Sequence, residues 1–566
     1  MSSSILVQHA KDLVARVASE SKSQYGLSSM APSIYDTAWL AMVEKKKHQG
    51  YEWVFPTSFE YLLREQTDEG GWDPLEGVTR RYSEYPENIW IQDCVVHSLA
   101  ALLALCRHVR RSSSHYKEPL PDNILFRLFR AKSFLDAQLQ KWQPDEAIHF
   151  TVELIVPVLL HLLSEEGVDF EFPAKEDLLS KYAAATSIDI SWLYQGPCSI
   201  PLFSLEGFAR QLDWSKLGCL VTSAGITASP ASAAAYLIFS PTWSDECEAY
   251  LRHIVSHGQG KGNGGVGGVY PLELFEPCWV LSTLLECGFT VDNLGRQNVQ
   301  ILLESISKSV QNGVTGVTHT FLPDADDTSR ALLVLNNNGY EVGLTSLIEH
   351  FECDDCFLTF DDRMPQRVVS VSVNGNVLNC LLSSSDPSSF TSQIEKIAKF
   401  MCSKWSKERM LNDHWNFSEY YGIMHMAQSL VPVRVLWDQG SLPGLAEDII
   451  QDQVPKCLQE VLDRVIRGQN DDGSWGNMHG AEETAYAIIA LAQLASHAAI
   501  ASDHSKADLA IARGKQFLLE TWTMSQKPDR IWTGKVMHGI SYVHDAHVLA
   551  ALKINRANLA GKRGFF

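Results

Sequence analysis

Two short segments far apart in this chain share one pattern. Gln66-Thr67-Asp68-Glu69-Gly70-Gly71-Trp72 and Gln469-Asn470-Asp471-Asp472-Gly473-Ser474-Trp475 both read Q-x-x-x-G-x-W, and each is followed by an Ala- and Leu-rich run with helical spacing. A repeated turn ahead of a repeated helix predicts two related helical domains, since related units bury related faces. The Gln is expected to bond a free backbone group at a helix end while the Trp stacks across it. Length agrees: 566 residues exceed what one core holds and fit two to four domains. Helical periodicity dominates throughout, as in Cys94 to Leu105 and Glu483 to Leu494, and alternating strands are scarce. The stretch Arg367 to Val373 reads either as a strand or as an extended lead into a helix. Breaker-rich segments lie near His115 to Asp122, Gly258 to Gly268 and Ser384 to Ser389, the middle one being the expected domain junction.

Composition narrows the function classes. A formal net charge of −20, with no cluster of Lys and Arg, argues against nucleic acid as a partner. The 12 cysteines are scattered and no secretory pattern opens the chain, which predicts free thiols in a reducing compartment. Cys353 and Cys356 have CxxC spacing but no second pair at zinc-site distance. The N-terminal stretch to Ser19 is amphipathic, interrupted by Lys11 and Arg16, and no uninterrupted apolar run reaches the roughly 18 residues of a membrane span. Cytoplasmic location without integral membrane association is the expectation.

The chemistry concentrates at Asp324-Ala325-Asp326-Asp327, which is followed by Thr328-Ser329-Arg330 and the apolar run Ala331 to Leu335. Three carboxyls within four residues at a helix start cannot all ionise in a dry site. One then holds a proton, and a protonated acid in an apolar pocket is a Brønsted acid aimed at a weak base such as an alkene. Taken alone the tetrapeptide also suits an acidic helix cap. Two other patterns lead nowhere: Gly260 to Gly265 satisfies GxGxxG but follows a helical rather than a strand pattern, and His544-Asp545-Ala546-His547 lacks a third ligand.

Taken together, these residues resemble the class II diterpene cyclases of the copalyl diphosphate synthase type, with a fungal flavour and distant kinship to squalene-hopene cyclases. Asp324 to Asp327 is similar to the DxDD motif of that family. Further matches are Tyr35-Asp36-Thr37-Ala38-Trp39, Ser204-Leu205-Glu206-Gly207, Asp213-Trp214, Asn263-Gly264-Gly265-Val266, Tyr270-Pro271 and Leu274-Phe275-Glu276. The resemblance implies an all-α fold of two α/α barrels, called β and γ, without the class I α domain. It places residues 1–39 with the β domain, 40–245 in an inserted γ domain and 246–566 in the β domain carrying DxDD.

The resemblance implies protonation-initiated cyclisation of a linear polyprenyl substrate, with geranylgeranyl diphosphate closing to a bicyclic copalyl-type diphosphate. Asp326 is the implied general acid, with Asp324 and Asp327 holding it protonated and oriented. Asn263 is implied in the final proton removal, although the His expected before Ser-Leu-Glu-Gly is Phe203 here. Phe203, His414, Trp415 and Arg330 are implied at the substrate. His414 stands where relatives carry a diphosphate-contacting Lys, and Ala183 to Ala185, with Lys181 nearby, stand where another Lys is usual. Glu153 matches a Glu that helps hold Mg2+ for diphosphate binding, the one implied cofactor. The class I motif DDxxD fails at both Asp354-Asp355-Cys356-Phe357-Leu358 and Asp361-Asp362-Arg363-Met364-Pro365. The partners expected are the isoprenoid substrate and a downstream class I synthase or oxidases. A substrate with another chain length or head group, or an inactive helical scaffold, are the competing readings.

Overall fold

The computed structural model describes residues 2–48, 50–73, 87–112, 120–144, 152–187, 189–196, 200–310, 312–361, 367–408, 413–498, 500 and 504–559. Most of His115 to Asp122, and Asp362 to Pro365 of the second degenerate DDxxD, lie outside them.

The chain divides into two compact units: Met1–Ser23 with Leu272–Ile531 and Ile540–Phe566, and Gln24–Pro271 with Trp532–Gly539. The glycine-rich segment to Gly268 thus ends just before a boundary. The other boundaries differ from those expected at 39 and 245. Ile34–Ala41 packs on Glu87–Ser112 and Pro230–Phe239, and Asp245–His257 packs on Pro230–Phe239, so both belong to the second unit. Apolar burial sets these allegiances, since Ile34–Ala41 is buried at every position.

In the first unit six helices pack as a closed ring: Phe275–Glu286, Ala325–Asn337, Val371–Leu382, Glu419–Asp438, Ala481–Leu494 and Ser541–Lys553. Phe275–Glu286, Val371–Leu382 and Ala481–Leu494 are apolar and buried at nearly every position, as befits helices covered on every side. Outer helices carry one apolar stripe; Val454–Arg467 buries Val454, Cys457, Leu458, Val461, Leu462 and Val465 at helical spacing and packs on two ring helices. Ser3–Glu20 completes the outer layer against Ser541–Lys553 and Phe275–Glu286, the place expected for the N-terminal helix. The stretch left open at Arg367 is an extended lead: Ser370 caps the helix Val371–Leu382, its side chain accepting from Val373 N.

The second unit closes a smaller ring from Ile34–Ala41, Glu87–Ser112, Val152–Glu165, the 3₁₀ segment Ile200–Phe208 and Pro230–Phe239, around a core including Trp39, Val95, Leu99, Leu159 and Leu205. A hairpin, Glu44–Lys47 with Gly50–Trp53, is its sheet. Among the described residues Asn88–Arg111 alone is long and apolar enough to cross a membrane, and 89% of that window is buried inside the protein.

The Q-x-x-x-G-x-W repeat has the same geometry in both units. Gln66 Nε2 donates to Gly70 O at 2.7 Å and Arg127 O at 3.1 Å; Gln469 Nε2 donates to Gly473 O at 3.0 Å and Ala510 O at 2.8 Å. Trp72 Nε1 donates to Leu62 O and Trp475 Nε1 to Val465 O, each in the last turn of the preceding helix. So the Trp, not the Gln, satisfies the free helix-end carbonyl, while the Gln reaches a carbonyl in the next helix but one, Ile124–Leu139 or Ser505–Thr521. Gly70 (φ 99°) and Gly473 (φ 93°) sit in left-handed conformations, against the backbones of Arg130 and Arg513, where a Cβ has no room.

Candidate active site

The N-terminal ends of Ala325–Asn337, Val371–Leu382 and Glu419–Asp438 bring together Asp326, Asn376 and, from the lead into the third helix, Asp413 to Trp415. Asp324 is the N-cap of its helix, its Oδ1 accepting from Asp327 N at 2.7 Å, so the tetrapeptide is a cap as well as a candidate acid. Thr328 anchors the turn, exchanging hydrogen bonds with the backbone of Thr315, and Ala325 N donates to Thr359 O at 2.8 Å.

All three carboxyls are buried, at 6%, 7% and 6% exposure for Asp324, Asp326 and Asp327. Among the described residues none makes an ion pair with Lys or Arg. Burial raises Asp324 to about 6 and Asp326 to about 7. Asp327 is driven up as well, first by burial and then by Asp324 and Asp326. Asp326 has one specific partner: Asn376 Nδ2 donates to its Oδ1 at 2.5 Å. That bond favours the carboxylate, so the site holds a proton by desolvation yet stabilises the anion left when the proton departs. The second oxygen is the one from which a proton can leave. Asn376 was missed from the sequence, although Asn374, Asn376 and Asn379, all buried in an otherwise apolar helix, were a visible signal.

Asp413 works as a clamp. Its Oδ2 accepts from Ser370 Oγ and Ser372 N, and its Oδ1 accepts from Trp415 N, which fixes Trp415 edge-on to Phe360 with centroids 6.1 Å apart. His414 is half-buried and pushed below its ordinary value by burial, hence neutral at pH 7. Trp279 and Tyr421 add buried aromatic surface, and the charge of Asp326 raises the Tyr421 phenol after burial does.

Four further residues were expected at the site, one in the first unit and three in the second. Arg330, implied at the substrate, is 1% exposed and points into the ring, its Nη1 donating to Ser282 Oγ at 2.7 Å with Glu286 at 3.7 Å and Trp279 beneath it. One helical turn past Asp326, it ties two ring helices together. Asn263, in the second unit, is exposed and spends its Oδ1 on Gly265 N at 2.9 Å, within its own loop. Glu153 is exposed in the first turn of Val152–Glu165, and among the described residues no other carboxylate joins it as a metal-ligand group. One carboxylate suits magnesium only as an ion already carried by a diphosphate. Phe203, also in the second unit, lies under the Lys535 ammonium, 4.9 Å from the ring centroid. Lys181 pairs with Asp177 at 3.0 Å.

No family model matches the chain. It is 33% identical to the pimaradiene synthase of Emericella nidulans over 94% of this chain and 54% of that protein. It is likewise 33% identical to the copalyl diphosphate synthase of Talaromyces verruculosus over 98% of this chain and 56% of that one. The chain therefore spans about half the length of the curated relatives it matches. Among solved structures, ent-copalyl diphosphate synthase from Streptomyces platensis superposes with a TM-score of 0.72 at 21% identity, covering 99% of this chain and all of that one. Abietadiene synthase from Abies grandis gives 0.62 at 19% identity, covering 97% of this chain and 58% of that one. The fold is therefore that of the solved class II cyclases, and it carries a buried carboxyl cluster. The chain is similar to these longer fungal diterpene synthases over about half of their length, and it shares the fold of the solved ent-copalyl diphosphate synthase.

Proposed function

We propose that this protein cyclises geranylgeranyl diphosphate to a bicyclic labdane-type diphosphate by protonating its terminal alkene, with the diphosphate retained. The observation that carries the reading is Asp326: a buried carboxyl raised to about 7, bonded at one oxygen by Asn376 and paired with no cation among the described residues. The alkene π electrons take the proton from the free oxygen of Asp326, and the tertiary cation formed is captured by the next double bonds in turn. Asn376 holds the carboxylate that remains. Walls that do not react with the cation come from buried aromatics near the acid, Trp279 and Tyr421 among them, where a desolvated cation–π contact is worth about 2 kcal/mol. Where the substrate carries magnesium on its diphosphate, the ion supplies charge neutralisation and Glu153 is the carboxylate that meets it. The reading places the reaction in the cytoplasm, with a class I synthase or oxidases acting on the product.

A second reading keeps the acid and changes the head group. His414 is neutral where a phosphate-contacting cation was expected, which favours a polyprenyl chain with another polar end. One experiment separates them. Purified protein is incubated with geranylgeranyl diphosphate, farnesyl diphosphate and a prenylated aromatic acid, and products are read by mass spectrometry after phosphatase treatment. A bicyclic alcohol from the first substrate, reduced by three or more orders of magnitude in Asp326→Asn, is the expected result. Cyclised product only from the prenylated aromatic favours the second reading, and undiminished activity in Asp326→Asn refutes both.

A further inference from the structure

Outside the acid cluster, the first unit carries a pair of thiols that the reaction does not use. Cys353 and Cys356 lie on a tight turn closed by the bridge between Glu352 and Phe357, with Cys353 N donating to Cys356 O at 3.0 Å. Their sulfurs are 3.3 Å apart and both are free thiols. Arg367 reaches both, its Nη2 standing 3.2 Å from Cys353 Sγ and 3.4 Å from Cys356 Sγ while it pairs with Asp355. Lys396 Nζ holds the turn from the other side, donating to Cys353 O at 2.7 Å. Cys353 is half-buried and Cys356 is 1% exposed.

Two thiols and Asp355 also offer metal-ligand atoms within 4.8 Å of one another. The guanidinium argues against an ion there. A fixed positive charge touching both sulfurs and paired with the carboxylate repels a divalent cation, whereas it stabilises a thiolate. Closing the sulfur contact to a bond needs only about 1.3 Å of approach.

The turn is also wired to the acid. Phe357, next to Cys356, exchanges two hydrogen bonds with the side chain of Asn374, each 2.9 Å long, and Asn374 lies two residues before Asn376 on the same helix. Two residues further along, Thr359 O accepts Ala325 N within the DxDD segment.

We propose that Cys353 and Cys356 form a redox-active dithiol that closes to a disulfide by exchange with a low-molecular-weight disulfide and thereby slows the acid. The Cys353 thiolate attacks one sulfur of oxidised glutathione, forming a mixed disulfide and expelling one glutathione thiolate. Cys356 then loses its proton to solvent and attacks the Cys353 sulfur, expelling the second glutathione thiolate. The protein loses two electrons and glutathione gains them. Exposure assigns the order, with Cys353 attacking and Cys356, held protonated by burial, resolving. Shortening the turn shifts Phe357 and Thr359, and with them Asn376 and Ala325, by a fraction of an ångström.

The test equilibrates the full chain in glutathione buffers from fully reduced to fully oxidised, alkylates remaining thiols and maps peptides. The expected result is a Cys353–Cys356 linked peptide that accumulates with oxidised glutathione, disappears with dithiothreitol and is absent from Cys353→Ser and Cys356→Ser. Over the same range kcat falls about tenfold in the native chain and stays constant in Cys356→Ser. Thiols that remain alkylatable at the oxidising end overturn the proposal. So does one zinc ion bound per chain that protects both thiols, which makes the cluster a metal site. A linked peptide with unchanged kcat overturns the coupling to the acid. Peptide mapping needs no substrate, so its outcome is independent of the reaction proposed above.

Discussion

The two units each bury a carboxyl cluster, and they solve the problem in opposite ways. In the second unit Asp36 and Glu206 are fully buried, and Lys535 answers them, its Nζ 2.6 Å from Glu206 Oε1, 2.8 Å from Ser229 Oγ and 3.9 Å from Asp36. Tyr35 and Ser232 hydroxyls donate to the Glu206 oxygens at 2.9 and 2.7 Å. In the first unit Asp324, Asp326 and Asp327 are nearly as buried, yet they receive helix N–H groups, one Asn and no paired cation among the described residues. Lys535 pairs with Glu206 in one cluster, where burial still raises Asp36 to about 6, and no Lys or Arg pairs with any carboxyl of the other among the described residues. Burial alone does not distinguish an acid from an anchor; the missing counter-charge does.

Removing the lysine has the largest effect. Lys535→Met leaves Glu206 buried and unpaired, an arrangement that typically costs about 3–5 kcal/mol. Thermal unfolding should show the second unit melting far earlier, or the variant should fail to fold. A native melting curve would mean that the cluster is already neutral, like its counterpart.

The proton cluster responds to pH instead. Burial raises Asp326 from an ordinary value near 3.9 to about 7, so the folded chain binds a proton that the unfolded chain releases. The contribution is fully present below about pH 4 and is lost as pH rises through about 7, a fall of up to roughly 4 kcal/mol. Asp326→Asn should therefore be the more stable protein at pH 8, and the difference should vanish near pH 4. In activity the same proton predicts that kcat declines tenfold per pH unit above about 7. A flat alkaline limb would remove Asp326 as the acid.

Asn376 comes next. Asn376→Ala deletes a hydrogen bond to a group that becomes charged during the reaction, worth about 1.5–3 kcal/mol, so kcat should fall roughly 10- to 100-fold. Melting temperature should hardly change, because the bond matters most once the proton has gone. Equal losses in stability and rate would assign Asn376 to packing.

Much of this contrast was legible in the sequence, though not all of it. The DxDD tetrapeptide could be read because its three carboxyls lie within four residues, so local crowding alone predicts perturbed ionisation. Lys535 could not, since nothing near it in sequence links it to Tyr35-Asp36 or Ser-Leu-Glu-Gly, and only chain topology brings residue 535 into the second unit. Asn376 lies on another helix of the ring, where the three Asn of an otherwise apolar segment were its one sequence signal. The partners of Arg330 were equally out of reach, since the helix turns it toward Ser282 and Glu286 on a neighbouring helix. Unit boundaries depended on which core Ile34–Ala41 and Asp245–His257 bury against, which periodicity does not encode.

The smallest effect tests where the two units are alike. Gln66 and Gln469 each donate to the carbonyl of their own turn and to a carbonyl on the next helix but one, at 2.7 to 3.1 Å. Replacing either by Ala should cost about 1–2 kcal/mol, two ordinary hydrogen bonds. Equal losses for Gln66→Ala and Gln469→Ala, measured by chemical denaturation, would show that the repeat does the same mechanical job in both units. Their consequences for catalysis should differ. Gln469 braces the turn ahead of Ala481–Leu494, a helix of the ring that carries Asp326, so its variant should lower kcat a few-fold. Gln66 braces a ring with no proton donor, and its variant should leave kcat unchanged. If both variants lowered kcat alike, the acid would depend on the second unit's rigidity as much as on its own, and the division between anchor and acid would no longer follow the division between the units.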